Sequence, residues 1–188
     1  MSKFEFSVAI VSVVLALATT ELIANWGRLI RRSERLSIDP IYAGWSMLAL
    51  ISALVHWGGL WAYESAAFNS QIELLIILFP ALTLALAVAI FSPDAELTLS
   101  QREQYLRAVP RAFPLFGLFF VLAAVADYVV MGAGMNIIFV LACSGLVVAT
   151  GYTKRIQIHV VVLAISWCII AWFLAGGIGQ WYASNMTN

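Results

Sequence analysis

ELIANWGRLIRRSERLSIDPIYAGW, residues 21–45, closes one apolar run, sets Arg28, Arg31, Arg32 and Arg35 close together, and opens a second apolar run at Asp39–Pro40. The pattern recurs at alternate loops. Arg102, Arg107 and Arg111 form a second basic cluster and Lys154–Arg155 a third, and the three hold nine of the ten Lys and Arg residues. Around them lie six apolar stretches, each about long enough to cross a bilayer as a helix, which takes ~20 residues. Cationic loops stay on the cytoplasmic side, so Arg28–Arg35, Arg102–Arg111 and Lys154–Arg155 are expected there. The expected fold is all-α, a single six-helix transmembrane domain over 1–188 with both termini outside. Its spans are read at about 4–27, 41–63, 71–91, 110–131, 135–150 and 156–178.

Composition points the same way. Only 11% of the residues are charged, against about a quarter in an ordinary soluble domain, and the mean hydropathy is +0.95. Acids and bases cancel to a formal charge of zero. Beyond the loop clusters there is no basic surface, so the expected partners are membrane lipids rather than nucleic acid. Cys143 and Cys168 sit inside apolar stretches without metal-ligand spacing and read as small hydrophobes. Ala16-Leu17-Ala18 imitates a signal-peptide cleavage site. Glu5 interrupts that run, however, and the apolar pattern continues through Leu22 and Ile23 to the arginines, so a helix of the protein is expected there.

Local signals mark the boundaries. Asp39 suits an N-cap and Pro40 the first helical position. Pro80, near the middle of the third span, is expected to kink it. Ser100-x-x-Glu103 fits a capping box opening a short interfacial helix, Gln101–Ala108, ahead of the fourth span. Gly132-Ala-Gly134 reads as a tight outer turn. Trp26, Trp45, Trp61, Tyr63, Tyr152, Trp181 and Tyr182 lie near span ends, where amphipathic rings favour the headgroup zone. Asn185-Met-Thr187 fits a glycosylation sequon, relevant only to a eukaryotic source. Val14–Glu21 and Phe120–Asp127 share a pattern ending in an acid. Either the halves form an inverted repeat or two apolar helices resemble each other by chance.

Ionisable groups inside apolar stretches are costly unless paired or hydrated. Glu21, Asn25 and Arg28 share one face of the first helix, and His159 sits at the inner end of the sixth. Glu21 is expected to pair with Arg28 or His159, as a helix-packing lock or as a cytoplasm-facing entry for ions or protons. Further out, Ser52, His56, Gly59 and Tyr63 form one stripe. At ~1.5 Å per residue, His56 and Asp127 both reach about 22 Å from the inner end of their spans. They are expected to pair, either structurally or as a proton-exchanging couple, with Glu73 and Glu64 at its mouth. Between the two sets lie only the hydroxyls of Ser52, Thr83, Ser144 and Ser166, so a proton wire would need bound water.

Several chemistries find no residues. His56 and His159 lie at opposite leaflets, against a bis-histidine haem, and no lysine is embedded for retinal. Zinc spacing, a G-x-S-x-G element and a phosphate loop are all missing. No cofactor, metal or catalytic residue is expected, and a non-enzyme is favoured.

Phe4-Glu5-Phe6, Glu21-Leu22 with Arg28-Leu29-Ile30-Arg31, Trp45, and Trp57 with Trp61 resemble a loose group of short bacterial six-helix membrane proteins with no assigned function. The likeness covers mainly the first third of the chain. It implies a bacterial inner (plasma) membrane setting and carries no activity. The expectation for function is a small ion- or proton-linked channel or transporter using Glu21, Asn25, His56, Glu73, Asp127 and His159. Six helices leave little room for a wide internal pathway, which favours a homo-oligomer. Two alternatives stand beside it: a non-catalytic accessory or scaffold subunit of a larger membrane complex, and a lipid- or quinone-binding protein with Trp57 and Trp61 lining a lateral pocket.

Overall fold

The computed structural model describes residues 3–32, 38–64, 71–92, 100–132 and 137–177. Arg35 with the rest of its loop, the loops at 65–70 and 93–99, the turn at 133–136, Trp181, Tyr182, the sequon and the Glu73 side chain lie outside the described residues. All regular structure among the described residues is helical: α1 (Lys3–Arg32), α2 (Pro40–Gly59) with a 3-10 turn (Leu60–Tyr63), α3 (Gln71–Phe91), α4 (Gln101–Met131), α5 (Ile137–Gly151) and α6 (Ile156–Trp172), which ends in a π turn (Phe173–Gly177). Four stretches are long and apolar enough to cross a membrane: Phe4–Arg31, Pro40–Tyr63, Gln101–Met131 and Ile156–Gly176. The apolar parts of α3 and α5, Leu75–Phe91 and Ile137–Gly151, are shorter.

The caps form as their residues dictate. Asp39 accepts from the N–H groups of Ile41 and Tyr42, with Pro40 at the first helical position. The Ser100–Glu103 capping box closes in both directions. At its far end α4 stops on Gly132, whose φ of +67° suits a residue without Cβ and whose N–H donates to the Tyr128 carbonyl at 3.0 Å. The expected interfacial helix Gln101–Ala108 is not a separate element, because it runs unbroken into the fourth span past Pro110 and Pro114. A proline removes one intrahelical bond and crowds the preceding turn, but in apolar surroundings no water competes for the bonds that remain. α1 likewise carries through Gly27 to Arg32, across good helix formers such as Arg and Leu.

α4 lies between α3 and α5, and α3 in turn lies against α1. α2 packs across this row onto α1, α3 and α4, while α6 is held by α2 and α5. The fully buried centre is aromatic: Tyr42 stacks on Phe91 at 5.1 Å, Trp45 tilts onto Phe113 at 4.6 Å, and Tyr105 meets Phe91 edge-on at 5.7 Å. α4 and α5 approach closely because glycine stands at their contact. A Cβ at Gly117 would lie 2.5 Å from Val148 Cγ2, and one at Gly151 would lie 3.0 Å from the Val109 carbonyl oxygen. On α6 only His159 and Val162 are buried. The halves do not repeat each other's packing: α1 pairs closely with α3, whereas α4 packs on α5 and scarcely meets α6, the counterpart of α3.

Side-chain bonds set the helix ends in register. Arg102 on Asp39 puts the start of α4 beside the start of α2, and Tyr105 on His159 adds the start of α6. With Asn25 on Tyr42 and Trp26 on Ser46 at the end of α1, the described basic residues Arg28, Arg31, Arg102, Arg107, Lys154 and Arg155 share one pole. Tyr63 on Asp127 ties the far ends of α2 and α4 together at the other pole. α3 ends near the basic pole, where Phe91 packs on Tyr42 and Tyr105.

Candidate functional site

Polar side chains occur in three layers along α2. At the basic pole Asp39 is buried and fully engaged. Its Oδ1 accepts from Ile41 N at 2.9 Å and Tyr42 N at 3.2 Å, and its Oδ2 accepts from Arg102 Nε at 2.7 Å. Its own N–H donates to Gln101 Oε1 at 2.6 Å. The sequence marks Asp39 as a cap only; its role as the joint between α2 and α4 depends on a partner sixty-three residues away.

Just inside, Asn25 Nδ2 donates to Tyr42 Oη at 2.5 Å and Trp26 Nε1 donates to Ser46 Oγ at 3.0 Å, fastening α1 to α2. Of the two partners open to Glu21, Arg28 is the one found, at 3.1 Å, with both side chains partly exposed. His159 is engaged elsewhere. Its ring is fully buried, with Nε2 2.9 Å from the Thr153 carbonyl and Nδ1 2.6 Å from Tyr105 Oη. A carbonyl can only accept, so Nε2 carries the proton, and in the neutral ring Nδ1 accepts from the Tyr105 hydroxyl. The expected inner cluster is thus two separate locks, because α1 packs on α3 while α6 packs on α2 and α5.

Tyr105→Phe leaves the buried Nδ1 without a donor, and we expect it to cost ~1–3 kcal/mol, the usual penalty for orphaning a buried polar atom. Thermal unfolding in detergent measures this. An unchanged midpoint would mean the bond contributes nothing.

At the opposite pole the expected His56–Asp127 pair is absent. Asp127 accepts instead from the Tyr63 hydroxyl. The 3-10 turn at Leu60–Tyr63 tightens the end of α2 and carries Tyr63 to the aspartate. His56 lies edge-on to Phe119 at 5.6 Å. Glu64 is exposed. Trp57 and Trp61 each contact α1. Trp57 Nε1 donates to Ser12 Oγ at 2.9 Å and Trp61 meets Phe4 edge-on at 6.0 Å, so both fasten the start of α1 to the end of α2. A lateral groove does occur between these helices, but nearer the basic pole, beside Trp26.

The middle layer separates the four hydroxyls. Thr83 donates to the Pro80 carbonyl at 2.8 Å and Ser166 to the Val162 carbonyl at 2.8 Å, each within its own helix. Ser52 Oγ and Ser144 Oγ are buried with no partner among the described residues, and so are Trp45 Nε1 and His56 Nε2. Trp45, Ser52 and His56 are spaced i, i+7, i+11 and share the face of α2 that meets Phe113 and Phe119 of α4. A buried polar atom left unpaired costs ~1–3 kcal/mol, so this stripe favours polar occupants over dry packing. Among the described residues no three of His, Cys, Asp and Glu converge as metal ligands do.

No protein-family model, curated protein or solved structure matches the chain.

Proposed function

We propose that this chain is a small proton-linked channel or transporter of a bacterial inner membrane, and that its route follows the α2 stripe. One observation carries the reading: Trp45 Nε1, Ser52 Oγ and His56 Nε2 are buried, unpartnered among the described residues, and aligned on one helix face. Three polar atoms in a row are the elements of a hydrated path. His56 is the one titratable side chain of the three. Asp127 with Tyr63 stands at one mouth, and Glu21 with Asn25 and His159 near the other. On this reading all six helices span, the basic pole faces the cytoplasm, both termini lie outside, and protomers associate to complete the pathway.

Liposomes carrying the purified protein and an internal pH dye test it. Wild type should relax an imposed pH gradient, and His56→Phe should slow that relaxation roughly tenfold or more, as expected where the titratable member of the stripe is removed. Ser166→Ala, whose hydroxyl bonds its own helix, should leave the rate unchanged. Equal rates in wild type and His56→Phe, or no flux under H⁺, Na⁺ and K⁺ gradients in either direction, refute the reading.

Orientation is tested separately. A cysteine placed at Lys154 should be labelled by a membrane-impermeant maleimide only after the cytoplasmic face is opened, and labelling in intact cells would reverse the topology.

A second reading, an accessory subunit of a larger membrane complex, is favoured by α6. That helix presents Val160, Val161, Ile165 and Trp172 outward, with two buried positions only. Native mass spectrometry from mild detergent separates the two: the chain alone or as a homo-oligomer supports transport, and a stoichiometric second chain supports the subunit role.

A further inference from the structure

The groove between α1 and α2 is lined by Leu22, Ile23 and Trp26 on one side and Ser46, Met47 and Leu50 on the other. Its one polar feature is already satisfied, since Trp26 Nε1 donates to Ser46 Oγ. Ser46 and Leu50 stand six and ten residues beyond Pro40, about 9 and 15 Å into the bundle at ~1.5 Å per residue. That depth falls within the hydrocarbon of one leaflet, ~15 Å thick as half of a ~30 Å core. An apolar slot here is shaped for a hydrocarbon chain.

What lies at its polar end identifies the ligand. Ile23, Gly27 and Arg31 follow one another at i, i+4, i+8 along α1, so a chain leaving the groove past Ile23 crosses Gly27 and meets Arg31. Gly27 offers no side chain to block it, and Arg31 Nη1 reaches back to 3.7 Å from where a Gly27 Cβ would stand. Arg31 is exposed, and no ion pair engages it among the described residues. Arg28, three residues earlier, is by contrast matched by Glu21. A guanidinium presents a planar fork of donors that fits a phosphate's oxygens.

From this juxtaposition of a slot at acyl-chain depth and an unmatched guanidinium at its mouth, we propose that the α1–α2 groove binds one anionic glycerophospholipid, chain in the groove and phosphate on Arg31. The site is independent of the transport path, which lies on the α4 side of α2.

The test uses the intact protein, delipidated in mild detergent and titrated with dioleoyl phosphatidylglycerol or dioleoyl phosphatidylcholine, which share the same chains. Native mass spectrometry should show a first phosphatidylglycerol retained at least fivefold more than phosphatidylcholine, with a thermal midpoint several degrees higher. Arg31→Gln should bring phosphatidylglycerol down to the phosphatidylcholine level. Met47→Trp, placed on a partly exposed wall so that folding is preserved, should fill the slot and reduce retention of both lipids. Equal retention of the two lipids by wild type overturns the site. So does unchanged phosphatidylglycerol preference in Arg31→Gln, or unchanged retention in a folded Met47→Trp. Soluble glycerol phosphate raising the midpoint as much as the lipid would assign the site to a free phosphate and overturn it as well.

Discussion

Gly151→Leu is expected to leave little folded protein, and Gly151→Ala to fold with a clear loss of stability. The position is the last residue of α5, set directly against α4. A Cβ there meets Phe113 Cβ at 2.9 Å and the Val109 carbonyl oxygen at 3.0 Å. Neither contact can be relieved by turning a flexible side chain, because one is backbone and the other is the Cβ of a fully buried phenylalanine, fixed by the backbone. The helices must separate. Overpacking of this kind costs ~1–3 kcal/mol and more when the added group is large, so we expect about 2 kcal/mol for alanine and a loss beyond 3 kcal/mol for leucine. α5 is only 15 residues long and has little other surface to compensate. Gly145 supplies the internal control: the same helix, the same residue type, and nothing within 4 Å of a Cβ built there. Gly145→Leu should stay within about 0.5 kcal/mol of wild type, the usual range for surface changes. Fluorescence-detected size exclusion and thermal unfolding in detergent read all three variants. If Gly145→Leu and Gly151→Leu behave alike, close packing of α4 on α5 is not what holds this edge of the bundle.

That glycine dependence illustrates what one sequence could and could not disclose. The apolar helices and the gathering of the described basic residues at one pole were legible, because charge clustering and apolar length are properties of composition along the chain. The Asp39 cap and the Ser100–Glu103 box were legible because capping is local. Pairings across helices were not. Height along a helix follows from counting residues, so His56 and Asp127 came out level, but counting gives no rotation about the axis of the bundle. The 3-10 turn at Leu60–Tyr63 settles the matter by delivering Tyr63 to Asp127. Tyr105 was hidden for another reason: the fourth span was read from about Pro110, which left Tyr105 in a separate short interfacial helix rather than in the bundle. The polar stripe was half visible, since Ser52 and His56 share a face, but Trp45 read as an interfacial anchor.

The second large effect belongs to Asp39, where three substitutions should rank in a fixed order. Asp39→Ala removes the cap of α2, typically ~1 kcal/mol and up to 2, together with a partly exposed ion pair worth up to ~1 kcal/mol. The expected total is about 1–3 kcal/mol, read from the same thermal or denaturant unfolding. Asp39→Asn should cost less than half of that. Asparagine caps as well as aspartate does, and only the charge on Arg102 loses its match. That pair is modest, because the Arg102 side chain is 52% exposed and solvent screens it. Arg102→Gln should therefore resemble Asp39→Asn, and each should lose much of its effect at high salt. The double variant Asp39→Ala with Arg102→Gln should be no worse than Asp39→Ala alone, since the two share one interaction. The ranking separates two accounts of the basic pole. If the cap dominates, alanine is severe and asparagine mild. If the ion pair dominates, asparagine and alanine fall together and both effects shrink at high salt. We expect the first, because the cap is buried and local while the arginine reaches in from solvent.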